Sequence, residues 1–253
     1  MLKRNQWPAW IIASSMAIAF SAAAQAPAPC TTPVALGALS MPPLPTLGEP
    51  YSATVKTTED KTLPDGTTTH ASVTTYQARD AAGRLWQKRS LGCQPGPDGV
   101  RHPVLQTLIY DTATGATYSW KDDDPAKVGR VLYGPVRHPH PPTPADQSDD
   151  DGRAALEAMG IHEQDLGTKT IDGVTTVGNR TVNTTPAGHK IVEETWFATK
   201  LDLQVLQITD NSGTGRRTVE VVDLKQGDPD PALFTPPAGY TVVELNHPLP
   251  ANK

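Results

Sequence analysis

From Tyr51 onward the chain alternates between apolar and polar positions. In "YSATVKTTEDKTL" the side chains of Tyr51, Ala53 and Val55 fall on one side and polar positions on the other, the period of a half-buried β-strand. Pro64-Asp65-Gly66 is a turn signal, "TTTHASVTTYQA" reads as a second strand, and Asp80-Ala81-Ala82-Gly83 turns the chain into "RLWQKRSL". After a Gly/Pro-rich break at 92–103, "VLQTLIYD" and "ATYSWKD" form a hairpin about Thr112-Ala113-Thr114-Gly115. Leu105 to Tyr110 is nearly continuously apolar, which predicts burial on both faces. "RVLYGPV" adds one more short strand, and the pattern then lapses over 137–152, "RHPHPPTPADQSDDDG".

"GRAALEAMGI" carries the one helical period, closed by Gly160. Strand texture resumes in "LGTKTIDGVTTVGNRTV", which turns at Asp172-Gly173. "HKIVEETWFAT" and "LDLQVLQITDN" follow as a hairpin around Lys200, then "GRRTVEVVDLKQG". All these connections are short, so successive strands are expected as antiparallel neighbours. The expected fold is mainly β: a large, curved antiparallel sheet with one short helix.

The last stretch, "GDPDPALFTPPAGYTVVEL", is restricted without being reactive. Asp230 suits an N-cap and Pro231 a first helical residue, so "DPALF" reads as one helical turn that drives Leu233 and Phe234 inward. Pro236, Pro237 and Gly239 stop the turn and aim Tyr240 and the residues after it back as a final strand. The expectation is a structural clasp that closes the sheet.

Composition changes the picture at the N-terminus. The 253 residues hold 25 prolines and are 37% hydrophobic, so part of the length is expected outside the core. Lys3 and Arg4 precede a short apolar run, "IIASSMAIAFSAAA", with small residues after it, which predicts a secretory signal peptide over 1–24. A proline-stiffened leader over 25–50 follows, then a single β-rich domain over 51–245 with a loop insertion at 137–152, and a tail over 246–253. After signal cleavage no long apolar run remains, so a periplasmic or secreted, non-spanning protein is expected. The formal net charge of −5 and the lack of a basic stripe argue against nucleic acid as a partner.

Candidate chemistry is sparse. No G-x-S-x-G, Walker A, H-E-x-x-H or C-x-x-C occurs. Glu193 and Glu194 are adjacent in a strand and point to opposite faces, so they do not form an acid/base pair by themselves. Asp149-Asp150-Asp151-Gly152 fails the calcium-loop spacing and reads as a solvated loop. His138 and His140 could hold a divalent metal weakly, but two imidazoles between prolines are too few for a closed site. Cys30 lacks the residues of a lipobox. In an oxidising compartment Cys30 and Cys93 are expected to pair, the alternative being two free thiols with one buried. No cofactor is implied, and no enzyme motif is present.

Trp86, Tyr110, Trp120 and Trp196 all fall in predicted strands. Core packing is their ordinary use, and lining an apolar concavity on one face of the sheet is the functional one.

The run from "LGTKTIDGV" through "EETWFATKLDLQVLQITDN" to "GDPDPALFTPPAGYTV" resembles a widespread kind of bacterial secreted protein of unknown function, abundant in acidobacteria. Its closing D-P-x-L-F-x-x-P-x-G-Y pattern is similar to the C-terminal end of the LolA-like and RseB-like periplasmic proteins. That resemblance implies an incomplete, highly curved antiparallel barrel holding a lipid or acyl chain against a helical lid. Only one short helix is visible here where such a lid needs more. The expected partner is thus a lipid or acyl chain, with an envelope protein as the alternative and a hydrolase as the remaining reading.

Overall fold

Twelve strands are laid down in chain order: β1 (Tyr51–Thr62), β2 (Thr68–Arg79), β3 (Leu85–Pro95), β4 (Arg101–Asp111), β5 (Ala116–Lys121), β6 (Val128–Tyr133), β7 (Ile161–Ile171), β8 (Val174–Thr184), β9 (Lys190–Ala198), β10 (Leu203–Asn211), β11 (Gly215–Gln226) and β12 (Thr241–Glu244). They come from a computed structural model that describes residues 48–134, 136, 156–185 and 187–246. The expected signal peptide, most of the expected leader, the 137–152 stretch and the last seven residues lie outside that set.

All twelve belong to one open, curved sheet with the order β12-β6-β5-β4-β3-β2-β1-β11-β10-β9-β8-β7. Two antiparallel meanders, β1–β6 and β7–β11, meet where β1 pairs with β11. Short turns dictate this. At Asp172-Gly173 both residues have positive φ, 46° and 79°, the backbone that suits a tight hairpin between right-twisted strands. The 3-10 turn Thr199–Leu201 joins β9 to β10 and ends on Asp202 in the left-handed region.

Two expectations need correction. The final strand does not close the sheet: β12 adds to β6 at one edge, β7 forms the other edge, and both stay free among the described residues. The successive strands that pair are antiparallel as expected, and β12, which is not next in sequence to β6, runs parallel to it from Thr241↔Val128 to Glu244↔Val131. A strand reached by a long crossing segment, and not by a hairpin, is free to arrive in either direction. The Gly/Pro-rich stretch at 92–103 is also no break. β3 continues to Pro95 and β4 begins at Arg101, with a register shift between Ser90 and Cys93. Beyond Ser90 this hairpin pairs with neither β2 nor β5. A protruding two-stranded ribbon has an unpaired outer side, where a missing proline N–H does no harm.

The helical period at 152–160 leaves residues 156–158 helical among those described, followed by Gly160 at φ 74°. In β4 Thr107, Leu108 and Ile109 are all buried, so the centre of this strand is covered on both faces.

Two cores form, and their β1–β2 members Tyr51 and Ala78 are on opposite faces. Tyr51 and Ala53 of β1 gather Val174, Leu201, Leu203, Val205 and Val221. Ala78, Ile109, Trp120 and Phe234 form the second cluster. Tyr51 stands opposite Arg79 and shares its face, whereas Ala78 is next to Arg79 in the strand and faces the other way. Arg79, 1% exposed, sits in the first core. It donates to the carbonyls of Glu49 (2.8 Å) and Leu201 and lies 5.0 Å from the Tyr51 ring centroid. Burial pushes the Tyr51 phenol up to about 12, against the pull of the Arg79 charge. One buried cation thus ties the entry to β1, the end of β2 and the turn after β9 together.

Candidate functional site

Ladder registers assign every strand residue to a face, since directly opposed residues share one. Ala78↔Trp86↔Ile109↔Tyr118 and Tyr76↔Lys88↔Thr107↔Trp120 run across β2–β5 on the side away from Tyr51. On the same side, across β1 and β11–β8, run Lys56↔Glu220↔Leu206↔Trp196↔Gly178 and Asp60↔Arg216↔Asp210↔Val192↔Val182. Trp86, Trp120 and Trp196 therefore share one side, called here the Trp face. Tyr110 does not. It pairs with Leu85 and Thr117 on the Tyr51 face, where burial raises its phenol pKa against the charge of Arg89. The four aromatic positions singled out in the sequence split three to one.

Over β2–β5 the Trp face is covered by the chain's own C-terminal segment. The Asp230 side chain accepts from the Ala232 N–H at 2.9 Å, Pro231 opens a 3-10 turn over Pro231–Phe234, and Phe234 is buried at 4% exposure. Leu233 and Phe234 pack with Ala78, Trp86, Ile109, Tyr118 and Trp120. The Arg84 guanidinium stands 5.1 Å from the Phe234 ring centroid. Gly239 takes φ 83° and turns Tyr240 onto Trp120, with ring centroids 6.4 Å apart. The Tyr240 hydroxyl donates a shared bond to the carbonyls of Lys121 (2.8 Å) and Asp122 (2.7 Å). Beyond β12, the Asn246 side chain imitates one more ladder residue. It accepts from the Tyr133 N–H and donates to the Tyr133 carbonyl, both at 2.7 Å.

Over β8–β10 the same face is open. A groove of about 490 Å³ lies there, floored by Val182, Val192 and Ile208 and bordered by Arg180, Glu194 and Asp210. A second groove of about 400 Å³ adjoins it towards Asp60 and shares Lys190, Val192, Asp210 and Arg216 with it. Beyond Glu194 on β9, and outside both linings, Trp196 lies on Gly178, where an added Cβ would come within 2.6 Å of the indole. The Lys169 ammonium stands 3.6 Å from the Trp196 ring centroid, a cation–π contact. The indole N–H donates to Glu194 Oε1 at 2.7 Å and Arg180 Nη2 to Oε2 at 2.9 Å, and these two bonds hold the carboxyl pKa down. Glu193 points to the opposite face towards Thr209.

Cys93 is buried and no cysteine among the described residues is free. Cys30, its expected partner, lies outside the described residues, as do His138 and His140. Among the described residues no group of three His, Cys, Asp or Glu is placed to hold a metal, and no helix is long and apolar enough to cross a membrane. The groove residues Arg180, Val182, Lys190 and Ile208 were not singled out from the sequence. Their signal is the alternation along β8 and β9, Gly178/Arg180/Val182 and Val192/Glu194/Trp196, which places both sets on one face.

No protein-family model and no curated protein sequence matches the chain. Among solved structures, MucB is similar at 12% identity and a TM-score of 0.36, over 77% of this chain and 59% of that one. LprF from Mycobacterium bovis is similar at 14% identity and 0.29, over 72% and 90%. A LolA superfamily protein from Nitrosomonas europaea is similar at 10% identity and 0.25, over 74% and 90%. The chain spans 59% of the length of MucB. At these scores the likeness carries no functional argument, and the two halves of the Trp face have to carry it.

Proposed function

We propose that this chain is an exported, non-enzymatic binding module that holds an apolar chain on the open half of its Trp face. The observation that supports this is the contrast within one face: over β2–β5 Leu233, Phe234 and Tyr240 fill the aromatic floor, while over β8–β10 Val182, Val192 and Ile208 floor an open groove. Trp86 and Trp120 pack under the clasp, and Trp196 lies beside the groove, bonded to its border residue Glu194. A volume near 490 Å³ is within the range of about 300–1,000 Å³ typical of small-molecule sites. Each buried CH₂ contributes about 0.8 kcal/mol, so a long alkyl chain suits a floor of this kind. Native mass spectrometry of gently purified protein should show a bound lipid, and an added fluorescent fatty acid should be taken up saturably. A lipid-free protein that takes up none overturns the reading.

The alternative, an envelope protein-interaction module, is favoured by one feature. β7 is an edge strand exposed along most of its length, with a row of ladder groups open to a partner strand. A Thr168→Pro variant should abolish crosslinking to envelope proteins if that edge is the contact, and unchanged crosslinks would remove the edge from the role. In the oxidising compartment that export implies, Cys30 would pair with Cys93. Intact-mass analysis with and without reductant should differ by two hydrogens.

A further inference from the structure

The charges around the open groove narrow what its ligand carries, an inference that rests on the apolar-chain reading above. Along β9 the residues Lys190, Val192, Glu194 and Trp196 alternate onto the Trp face. At about 3.4 Å per residue, Lys190 to Trp196 is a run of about 20 Å. The acids along and beside that run are satisfied within the protein. Glu194 is held by Trp196 and Arg180, Asp210 lies 3.2 Å from Arg216, and Asp60 lies 2.5 Å from His70. Arg180 and Arg216 therefore each already face a carboxylate.

Lys190 differs. It lines both grooves, and among the described residues it forms no ion pair. Its backbone is pinned to the β10–β11 turn: its N–H donates to Ser212 Oγ at 2.9 Å and its carbonyl accepts from the Ser212 N–H at 2.9 Å. Lys190 thus starts from a fixed backbone and lines the place where the two grooves meet, with no ion pair among the described residues.

We propose that the groove takes a long-chain fatty-acid anion, with its carboxylate at Lys190 and its alkyl chain over Val192, Val182 and Ile208 towards Trp196. The stems of Arg180 and Arg216 flank that path with methylene groups. A cationic amphiphile would meet Lys190 and Arg216 as like charges, and an uncharged one would leave the ammonium unanswered.

The test compares dissociation constants of palmitate and of the alcohol of equal length on the full chain, at low and high salt. The variants are Lys190→Gln and, as a control on the same face but outside the grooves, Lys56→Gln. The unchanged protein should favour the acid about fivefold, the upper end for an exposed ion pair. Lys190→Gln should abolish that preference with little change for the alcohol, Lys56→Gln should keep it, and high salt should shrink it. Equal affinity for acid and alcohol in the unchanged protein, or a preference that survives Lys190→Gln, overturns the headgroup assignment. If the alcohol still binds in those cases, the apolar-chain reading stands. If neither ligand binds at any salt, both fall.

Discussion

The two halves of the Trp face are built from similar strands and do different things. Over β2–β5 the floor is aromatic and the chain covers it itself, with Phe234 at its centre. Over β8–β10 the floor is aliphatic, the border is charged, and no described residue covers it. The difference follows from where the chain still has length to use. β11 ends beside β1, and the segment after it crosses β2–β5 to reach β6. Only that half can be covered by the crossing. An aromatic floor without a cover would be a large apolar patch of the kind that aggregates, whereas the border of the open half carries the charges of Arg180, Glu194 and Asp210.

Substitutions that break this contrast rank by how much packing or bonding they disturb. Phe234→Ala should have the largest effect, about 3–5 kcal/mol, because it empties the centre of the clasped half. Chemical denaturation measures it, and binding at the open groove should persist in the fraction that stays folded. Gly178→Ala should come next, at about 1–3 kcal/mol, since the new methyl group would press on the Trp196 indole. A shift in Trp fluorescence together with weaker ligand uptake would locate that strain in the open half. Tyr240→Phe removes the hydroxyl bonded to the Lys121 and Asp122 carbonyls and should cost about 1 kcal/mol in thermal unfolding.

The smallest effect is a dependence on pH. Trp196 and Arg180 depress the Glu194 pKa, so its folded value lies below the unfolded one. The stability this gives is fully present above the unfolded carboxylate value of about 4.3 and is lost as pH falls through the depressed folded value. Because the pair is partly exposed, about 0.2–1 kcal/mol is expected. Glu194→Gln should flatten that acid limb in denaturation curves taken between pH 6 and pH 3.

Much of this was legible in the residues and some was not. Alternation and turn chemistry locate the strands because each depends on neighbours a few positions apart; Asp172-Gly173 alone specifies a hairpin. The turn that carries Leu233 and Phe234 is likewise local, set by Asp230 and Pro231. What local pattern does not contain is the destination of that turn. The pairing of β12 with β6 depends on a crossing of the whole first meander, so the aromatic floor and the clasp, which read as separate features, turn out to be two sides of one core. Tyr110 shows the same limit, since membership of a face depends on a register that runs through four strands. The groove was missed because Arg180, Lys190 and Ile208 are ordinary residues until β8, β9 and β10 are laid side by side. Arg79 was missed because nothing in "TTYQARDAAG" marks an arginine for burial.

On the proposed reading, ligand lies on the open half of the Trp face and the clasp occupies the other half. Photolabelling with a fatty acid that carries a diazirine in its chain, followed by peptide mapping, tests it most directly. Adducts are expected on β8–β10, at or beside Val182, Val192 and Ile208, and none on β3 or β5. Adducts concentrated on Trp86, Tyr118 and Trp120 would contradict it, because the ligand would then be in the place assigned to Leu233 and Phe234.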